Sequence, residues 1–259
     1  MRILITNDDG FDAAGIKSLK KIALCMSIED NIFVVAPTRN QSAKSRSVSY
    51  KTAFDIIKKN SNEYSVEGTP TDCIIFAFEH LMKKKKPDII LSGINWGYNL
   101  SEDVFYSGTV AAALEGTDRG TLSIALSQAY NSSTRRKLNP YLFAESCGSQ
   151  LCLSLYENFS KDSEKTAFNV NFPTNPQVKY PDCIKIAPIG QRNTSNFGID
   201  IFFKSQNLFT AKIDTIAKNS SSHPDDDYIN CSNGYLTVSP VSMRTQRDKI
   251  FEKLKKVRF

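Results

Sequence analysis

The sequence holds few residues of the kinds that bind zinc or other soft metals. Two of its 259 residues are His, and its six Cys include no CxxC pair. This scarcity argues against a His-rich zinc site, so oxygen atoms must supply the ligands if a metal binds. Cys25, Cys73 and Cys152 lie in apolar helical patterns, which favours reduced core thiols in a cytoplasmic protein.

Long apolar runs and glycine-rich phosphate loops are also missing. No apolar run approaches the roughly 20 residues that a membrane-spanning helix needs, so no membrane partner is predicted. Strand-like sequence begins at Arg2, which leaves no room for a signal peptide. Neither GxGxxG nor a Walker A loop follows it, so neither a dinucleotide-binding protein nor a P-loop NTPase is indicated.

The charge of the chain is modest and unevenly placed. The net charge is +6, and much of it lies in residues 83–86 and in the C-terminal segment. Such runs are typical of solvated helix ends, because cations near a helix C-terminus interact favourably with its dipole. We therefore predict no nucleic-acid polymer as a partner.

The N-terminus carries the strongest chemical pattern. Ile3, Leu4 and Ile5 form the short apolar run expected of a strand buried on both faces of a parallel sheet. Asp8 and Asp9 follow at once, and two adjacent carboxylates repel unless a cation or a proton lies between them. The pattern predicts a hard-metal site at the carboxyl end of the first strand. The alternative is a polar turn whose carboxylates cap the next helix.

Apolar strands alternate with amphipathic helices over most of the chain, which predicts an α/β protein with a mostly parallel sheet flanked by helices. Residues 46–67 alternate in short pieces and predict a β-hairpin insertion. We assign residues 1–190 to the catalytic core. Residues 191–259, with a basic amphipathic helix at 246–256, form a C-terminal β-hairpin and helix region expected to pack on another subunit.

Further polar residues follow the predicted strands. Ser42, after the second strand, can supply a hydroxyl oxygen, although a Ser in a polar loop is usually only solvated. Asn95 and Asn99 follow the strand at 88–92, where Asn95 offers a neutral oxygen ligand and Asn99 a donor to an anion.

A helix begins close to Ser107, Gly108 and Thr109. Backbone N–H groups at a helix start, together with Ser and Thr hydroxyls, form a ready phosphate site. The simpler alternative is that Ser107 only caps the helix.

Together these motifs resemble the SurE family of metal-dependent 5′/3′-nucleotidases. The resemblance covers most of residues 2–130 and extends more weakly to 169–173 and 234–240. It rests on five ordered motifs, which span residues 7–10, 35–42, 67–70, 92–95 and 106–112. The chain departs from the family pattern at Ala43, where Gly is common, and at Ser101-Glu102, where Gly-Asp is common.

The resemblance implies a Rossmann-like core that hydrolyses nucleoside 5′- and 3′-monophosphates to nucleoside and phosphate. It also implies one divalent cation per subunit, Mg²⁺ or Mn²⁺, and a C-terminal arm that builds a homodimer or homotetramer. The implied metal ligands are Asp8, Asp9, Ser42 and Asn95, and the implied phosphate-side residues are Asn99, Ser107, Gly108 and Thr109.

Several readings of the chemistry stay open. Asp8 and Asp9 are the candidate catalytic residues, with Asp8 either a general base or a direct nucleophile. An exopolyphosphatase or a broad phosphomonoesterase is the nearest alternative activity. A non-enzymatic phosphoacceptor switch is a more distant one, since it requires an acidic residue at a mid-sheet strand end, and residues 92–95 hold none.

Overall fold

The computed structural model describes residues 1–130, 139–161, 166–191, 197–215 and 223–242. Its strands are β1 Ile3–Thr6, β2 Ile32–Pro37, β3 Ile56–Lys58, β4 Glu63–Val66, β5 Ile89–Trp96, β6 Leu122–Gln128, β7 Ala167–Phe172, β8 Ile184–Ile186, β9 Phe197–Ser205, β10 Leu208–Thr215 and β11 Leu236–Val241. Its α-helices are α1 Ala14–Leu24, α2 Pro70–Phe76, α3 Asp103–Tyr106, α4 Gly108–Asp118, α5 Leu142–Phe159 and α6 Asp227–Ser232.

Nine of the strands in the described residues form one sheet in the order β3-β4-β2-β1-β5-β6-β7-β11-β8. All neighbours from β4 to β7 are parallel, whereas β3 pairs antiparallel with β4 and β11 pairs antiparallel with β7. The predicted mostly parallel α/β sheet is confirmed. The chain moves outward from β1 to β2 and then returns to place β5 on the other side of β1. The carboxyl ends of β1 and β5 therefore flank a topological switch point, where open α/β sheets bind ligands.

Helices cover both faces of this sheet. Helices α1 and α5 pack on one face, around Leu19 and Leu151, and helices α2 and α4 pack on the other, around Ile74 and Ala112. The central strands are buried on both sides, as their continuous apolar runs predict. This double packing fixes the strand ends, and with them every side chain that leaves the sheet there.

The start of α2 is specified locally by its sequence. Thr69 accepts a hydrogen bond from the Asp72 N–H at 3.2 Å, and the Asp72 carboxylate accepts one from the Thr69 N–H at 2.8 Å. Pro70 occupies the first turn, where a missing N–H costs no helical hydrogen bond. This capping box stabilises the helix start beside the end of β4.

The predicted hairpin insertion is present but shorter than its sequence suggests. Only residues 56–58 and 63–66 form strands, while 46–55 form turns and extended loop. Strand β4 also pairs in parallel with β2, so the hairpin extends the main sheet.

The C-terminal region divides between two places. Strand β11 lies in the main sheet between β7 and β8, whereas β9 and β10 form a separate two-stranded ribbon. The predicted helix at 246–256 lies outside the described residues, and the division of the chain at residue 190 stays a prediction. Across the described part of the chain, we find no helix with the length and apolar character needed to cross a membrane.

Candidate functional site

Asp8 lies at the centre of the candidate site, immediately after β1. Its side chain is buried, with 3% of the residue exposed. Its Oδ1 accepts a 2.5 Å hydrogen bond from the Thr109 hydroxyl, and its backbone carbonyl accepts one from the Gln41 N–H at 2.7 Å. The Asp8 carboxylate is therefore held by α4, and its backbone is held by the loop that carries Ser42.

Asp9 turns toward β5. Its Oδ2 accepts a 3.0 Å hydrogen bond from the Trp96 N–H, and its Oδ1 lies 3.5 Å from the amide nitrogen of Asn40. The two adjacent carboxylates are thus anchored to different elements. Gly10, with φ of +112°, allows the chain to leave the strand at this point.

The electrostatics of Asp8 and Asp9 favour a positive partner. Burial raises the pKa of Asp8 to about 6, the Thr109 hydrogen bonds lower it, and the neighbouring Asp9 charge raises it. Burial likewise raises the pKa of Asp9, and the Trp96 N–H lowers it. A cation between the two carboxylates would compensate for their lost hydration and their repulsion.

Helix α4 packs its N-terminus directly on Asp8. A Cβ atom placed on Gly108 would lie 2.7 Å from the Asp8 Cβ and 3.0 Å from its Oδ2, so only glycine permits this approach. Ser107 caps the helix by accepting a 3.1 Å hydrogen bond from the Val110 N–H, as the simpler sequence alternative predicts. Its hydroxyl proton remains available to an acceptor such as a phosphate oxygen.

The loop that carries Ser42 is tied to the same helix. Ser42 is exposed, and its N–H donates to the Asn40 side-chain oxygen at 2.8 Å. Three residues further on, the Ser45 N–H donates to the Tyr106 carbonyl at 3.0 Å. The Arg46 guanidinium forms ion pairs with Glu115 at 2.6 Å and with Asp118 at 2.7 Å. These contacts hold the loop against both ends of α4.

Asn95 is the penultimate residue of β5, which extends beyond the predicted strand end at residue 92, and Asn99 lies on the segment that follows β5. The Asn95 amide nitrogen donates to the Gly97 carbonyl at 2.9 Å, so the side-chain oxygen is the atom that could bind a metal. Asn99 is buried, and its amide nitrogen donates to the Ser127 hydroxyl at 2.8 Å. One further amide hydrogen of Asn99 can serve a phosphate oxygen.

The donor set fits a hard divalent cation. In the described residues, no group of three or more His, Cys, Asp or Glu side chains could hold a metal. Two carboxylates, with a hydroxyl and an amide oxygen from neighbouring loops, are the oxygen donors that Mg²⁺ and Mn²⁺ accept alongside water. The contacts of Gln41 with Asp8 and of Trp96 with Asp9 bring the Ser42 and Asn95 loops to the two carboxylates.

Aromatic side chains occupy the loops around the candidate site. The Trp96 ring stacks on Tyr130 at a centroid distance of 4.8 Å and meets Tyr141 edge-on at 5.9 Å. Phe105 and Tyr106 remain 71% and 47% exposed. Trp96 is thus partly covered by protein rings, whereas Phe105 and Tyr106 present part of their surface to solvent.

Two supporting contacts were not predicted from the sequence. The Arg46 ion pairs join residues 69 and 72 positions apart, and no local pattern indicates them. Gly108 was predicted on the phosphate side, but its close packing on Asp8 was not. A glycine in the first turn of an otherwise well-formed helix was the one available signal.

The fold and the candidate site define an open α/β protein with two neighbouring carboxylates beside a helix N-terminus at the switch point of its sheet. The family model described as Survival protein SurE matches residues 3–196. The chain belongs to the SurE family, whose members are generally metal-dependent.

Relatives named 5′-nucleotidase SurE match most of the chain. The protein of Methylorubrum extorquens (strain PA1) is 40% identical over 200 residues, which cover 77% of this chain and 76% of the relative. That of Azorhizobium caulinodans is 36% identical and covers 99% of this chain and 98% of its own length. The crystal structure of SurE protein from Aquifex aeolicus superimposes with a TM-score of 0.79 at 27% identity, over 98% of both chains.

Proposed function

We propose that this chain hydrolyses nucleoside 5′- and 3′-monophosphates to nucleoside and phosphate in a divalent-metal-dependent reaction. The observation that carries the proposal is the contact of Asp8 with the N-terminus of α4. This contact makes the proposed metal site and the proposed phosphate site direct neighbours. The name 5′-nucleotidase borne by relatives at 36–40% identity supports the same activity.

One Mg²⁺ or Mn²⁺ ion per subunit would be held by Asp8, Asp9, Ser42 and Asn95. When bound, such an ion neutralises phosphate charge and makes water a better nucleophile. Asn99, Ser107, Gly108 and Thr109 form the phosphate side of the proposed site. The Ser107 hydroxyl, the Asn99 amide and the first N–H groups of α4 donate to the phosphate oxygens as negative charge spreads over them.

Asp8 performs the central chemistry of the proposal. It either accepts a proton from the water that attacks phosphorus, or attacks phosphorus itself to form an aspartyl phosphate that water then hydrolyses. In both cases the bond from phosphorus to the nucleoside oxygen breaks, and that oxygen takes up a proton that derives from water. The Thr109 hydrogen bond fixes the orientation of the Asp8 carboxylate for this role. Asp9 is held toward the Trp96 backbone and acts as metal ligand and electrostatic partner.

The leaving group is recognised by aromatic surface. Phe105 and Tyr106 are exposed beside Ser107, and the Tyr106 ring meets Phe197 edge-on at 5.1 Å. Such rings can stack on a nucleobase without reading its edge, so discrimination among bases should be modest.

The test is kcat/KM measured for several nucleoside monophosphates, glucose 6-phosphate and short polyphosphate under one metal condition. We expect nucleotides to be hydrolysed fastest. A clear preference for polyphosphate would favour the exopolyphosphatase alternative, and a clear preference for the sugar phosphate a broad phosphomonoesterase. Either result would contradict the nucleotidase proposal without affecting the proposed metal site.

A second copy of the chain is the proposed partner of the β9–β10 ribbon, giving a homodimer or homotetramer. The ribbon exposes apolar side chains that a monomer would leave in water, among them Phe203 at 80%, Ile213 at 68% and Ile199 at 61%. We propose a cytoplasmic location, which the six free cysteines support.

A further inference from the structure

The turn from Asn99 to Ser101 is buried although it is not part of a helix or strand. Asn99, Leu100 and Ser101 are 6%, 1% and 0% exposed. A buried turn must find hydrogen-bond partners for its backbone groups, because water cannot reach them. The turn contains Asn99 and follows β5, whose end carries Asn95, so the partners of the turn fix part of the proposed active site.

Asparagine side chains of β7 form hydrogen bonds with the backbone of Asn99, the first residue of this turn. The Asn99 N–H donates to Asn171 Oδ1 at 2.8 Å, and the Asn99 carbonyl accepts from Asn169 Nδ2 at 2.7 Å and from Asn171 Nδ2 at 3.2 Å. These contacts are all neutral. They hold the turn at Asn99, so the backbone of Ser101, at its other end, needs a different hydrogen-bond partner.

Asp227 holds the far end of the turn from 126 residues away in sequence. Its Oδ2 and Oδ1 accept the Ser101 N–H at 3.1 and 3.3 Å, and its Oδ1 also accepts the Gly190 N–H at 2.9 Å. Asp227 is fully buried at the start of α6. Hydrogen bonds to an ionised acceptor are stronger than neutral ones, particularly away from water.

Ser101 needs such a partner because its backbone is strained. Its φ of 53° lies in the left-handed region, where the Cβ of an L-residue clashes with the backbone.

Burial raises the pKa of Asp227 to about 6, the Gly190 and Ser101 N–H groups lower it, and Asp226 raises it. The carboxylate is thus ionised at neutral pH, when it can hold both amides.

We infer that Asp227 is a positioning residue that acts through the Ser101 N–H to hold the Asn95–Asn99 segment in its reactive arrangement. The inference rests on the proposed function. Asp227 lies beyond residues 3–196, which the family model matches, and its proposed role rests on its contacts in this structure.

Asp227→Asn tests the inference, with Asp226→Asn as its matched control. Asp226 is the adjacent buried carboxylate and caps α6 through the Ile229 N–H at 2.9 Å, a role that Asn also fills. We expect Asp227→Asn to lower kcat for AMP at least tenfold while KM changes less than threefold. Asp226→Asn should keep kcat within twofold of the unmodified enzyme.

Fluorescence provides a readout that does not depend on turnover. The chain has one Trp, at position 96 on the segment in question. Acrylamide should quench Trp96 more strongly in Asp227→Asn than in Asp226→Asn, with the far-UV circular dichroism unchanged. Unchanged kcat and quenching in Asp227→Asn, or equal losses in both variants, would overturn the inference.

Hydrogen exchange on the unmodified protein decides the case if Asp227→Asn does not fold. Amides of residues 97–104 should then exchange as slowly as those of β5 and β6. Exchange as fast as that of the Ser42 loop would refute the positioning role. If the unmodified protein hydrolyses no nucleotide, the proposed function fails, while the exchange and quenching measurements still test the contact.

Discussion

The Thr109 hydroxyl donates a 2.5 Å hydrogen bond to Oδ1 of Asp8 across 101 residues of sequence. This contact joins the end of the first strand to the first turn of α4. It fixes the orientation of a buried carboxylate and lowers its pKa against the effect of burial. The proposed metal site and the proposed phosphate site are thereby linked through one pair of side chains.

Thr109→Val should lower activity by removing this hydrogen bond while keeping the shape of the side chain. A hydrogen bond to a charged group contributes about 1.5–3 kcal/mol, so kcat/KM should fall roughly tenfold or more. Because the lost bond had lowered the pKa of Asp8, the acidic limb of the pH–rate profile should move to higher pH. Thr109→Ser is the control and should retain both the kcat/KM and the acidic limb of the unmodified enzyme. An unshifted pH–rate profile in Thr109→Val would count against the role of this hydrogen bond.

Gly108→Ala should displace Asp8, since the new Cβ would lie 2.7 Å from the Asp8 Cβ. We expect a large loss of kcat and a stability loss of about 1–3 kcal/mol from overpacking. Gly116→Ala in the same helix is the control, because its Cβ would meet Ile90 Cδ1 at 2.2 Å, away from Asp8 and Asp9. It should lower the melting temperature while kcat stays near normal, and similar kcat losses in both variants would contradict the prediction.

Asp8→Asn should abolish phosphatase activity with added Mg²⁺ or Mn²⁺ and leave the fold intact. Near-normal turnover by this variant would refute the assignment of Asp8.

The same variant should also alter the pH dependence of stability. Burial raises the folded-state pKa of Asp8 to about 6, so in metal-free protein its ionisation costs stability as pH rises from about 4 through 6. In EDTA, Asp8→Asn should therefore be more stable than the unmodified protein at pH 7.5 and show no such advantage at pH 4. Thermal unfolding at the two pH values measures this difference, and an equal effect at both would exclude the electrostatic cause.

Phe105→Ala should weaken nucleotide binding if its exposed ring stacks on the base. An aromatic contact contributes about 0.5–1.5 kcal/mol, so KM for AMP should rise roughly threefold to tenfold, with KM for glucose 6-phosphate unchanged. Phe105→Leu keeps apolar bulk without an aromatic face and should show the same selective rise in smaller measure. Equal changes in KM for both substrates would indicate a structural effect.

Glu substitutions at Phe203 and Phe209 should disrupt assembly, because these exposed rings lie 6.0 Å apart on the β9–β10 ribbon. Light scattering should find the unmodified protein as a dimer or larger at micromolar concentration and the double variant as a monomer. Lys204→Glu, which changes charge on the same ribbon without removing apolar surface, should remain assembled. A monomeric unmodified protein would refute the proposed partner.

Much of the fold follows from local sequence patterns. The apolar runs Ile3–Ile5 and Ile89–Leu91 predict doubly buried parallel strands, and both lie within strands of the central sheet. These features depend on neighbouring residues, so sequence periodicity detects them. The hairpin was overextended to residue 46 because alternating apolar residues also occur in the irregular loop that precedes it.

The two positions where this chain lacks a glycine that is common in the family show what a sequence pattern alone does not reveal. Ala43 and Ser101 replace residues that are commonly Gly in the family, and both keep a positive φ, 59° and 53°. The sequence identifies the substitutions, but only the structure shows that the strained backbone is retained. The contact that holds Ser101, from Asp227, could not be predicted, since nothing local connects the two residues.

The sequence by itself predicted the class of chemistry, because ligand types are read directly from residue types. Two adjacent carboxylates after a buried strand, with few His and no CxxC, predict oxygen ligands for a hard cation. Only the tertiary structure decided how Asp8 is held, through Thr109 and Gly108 of α4. Such contacts arise when parallel strands bring distant segments to one edge of the sheet, and their geometry depends on packing that no local window of sequence contains.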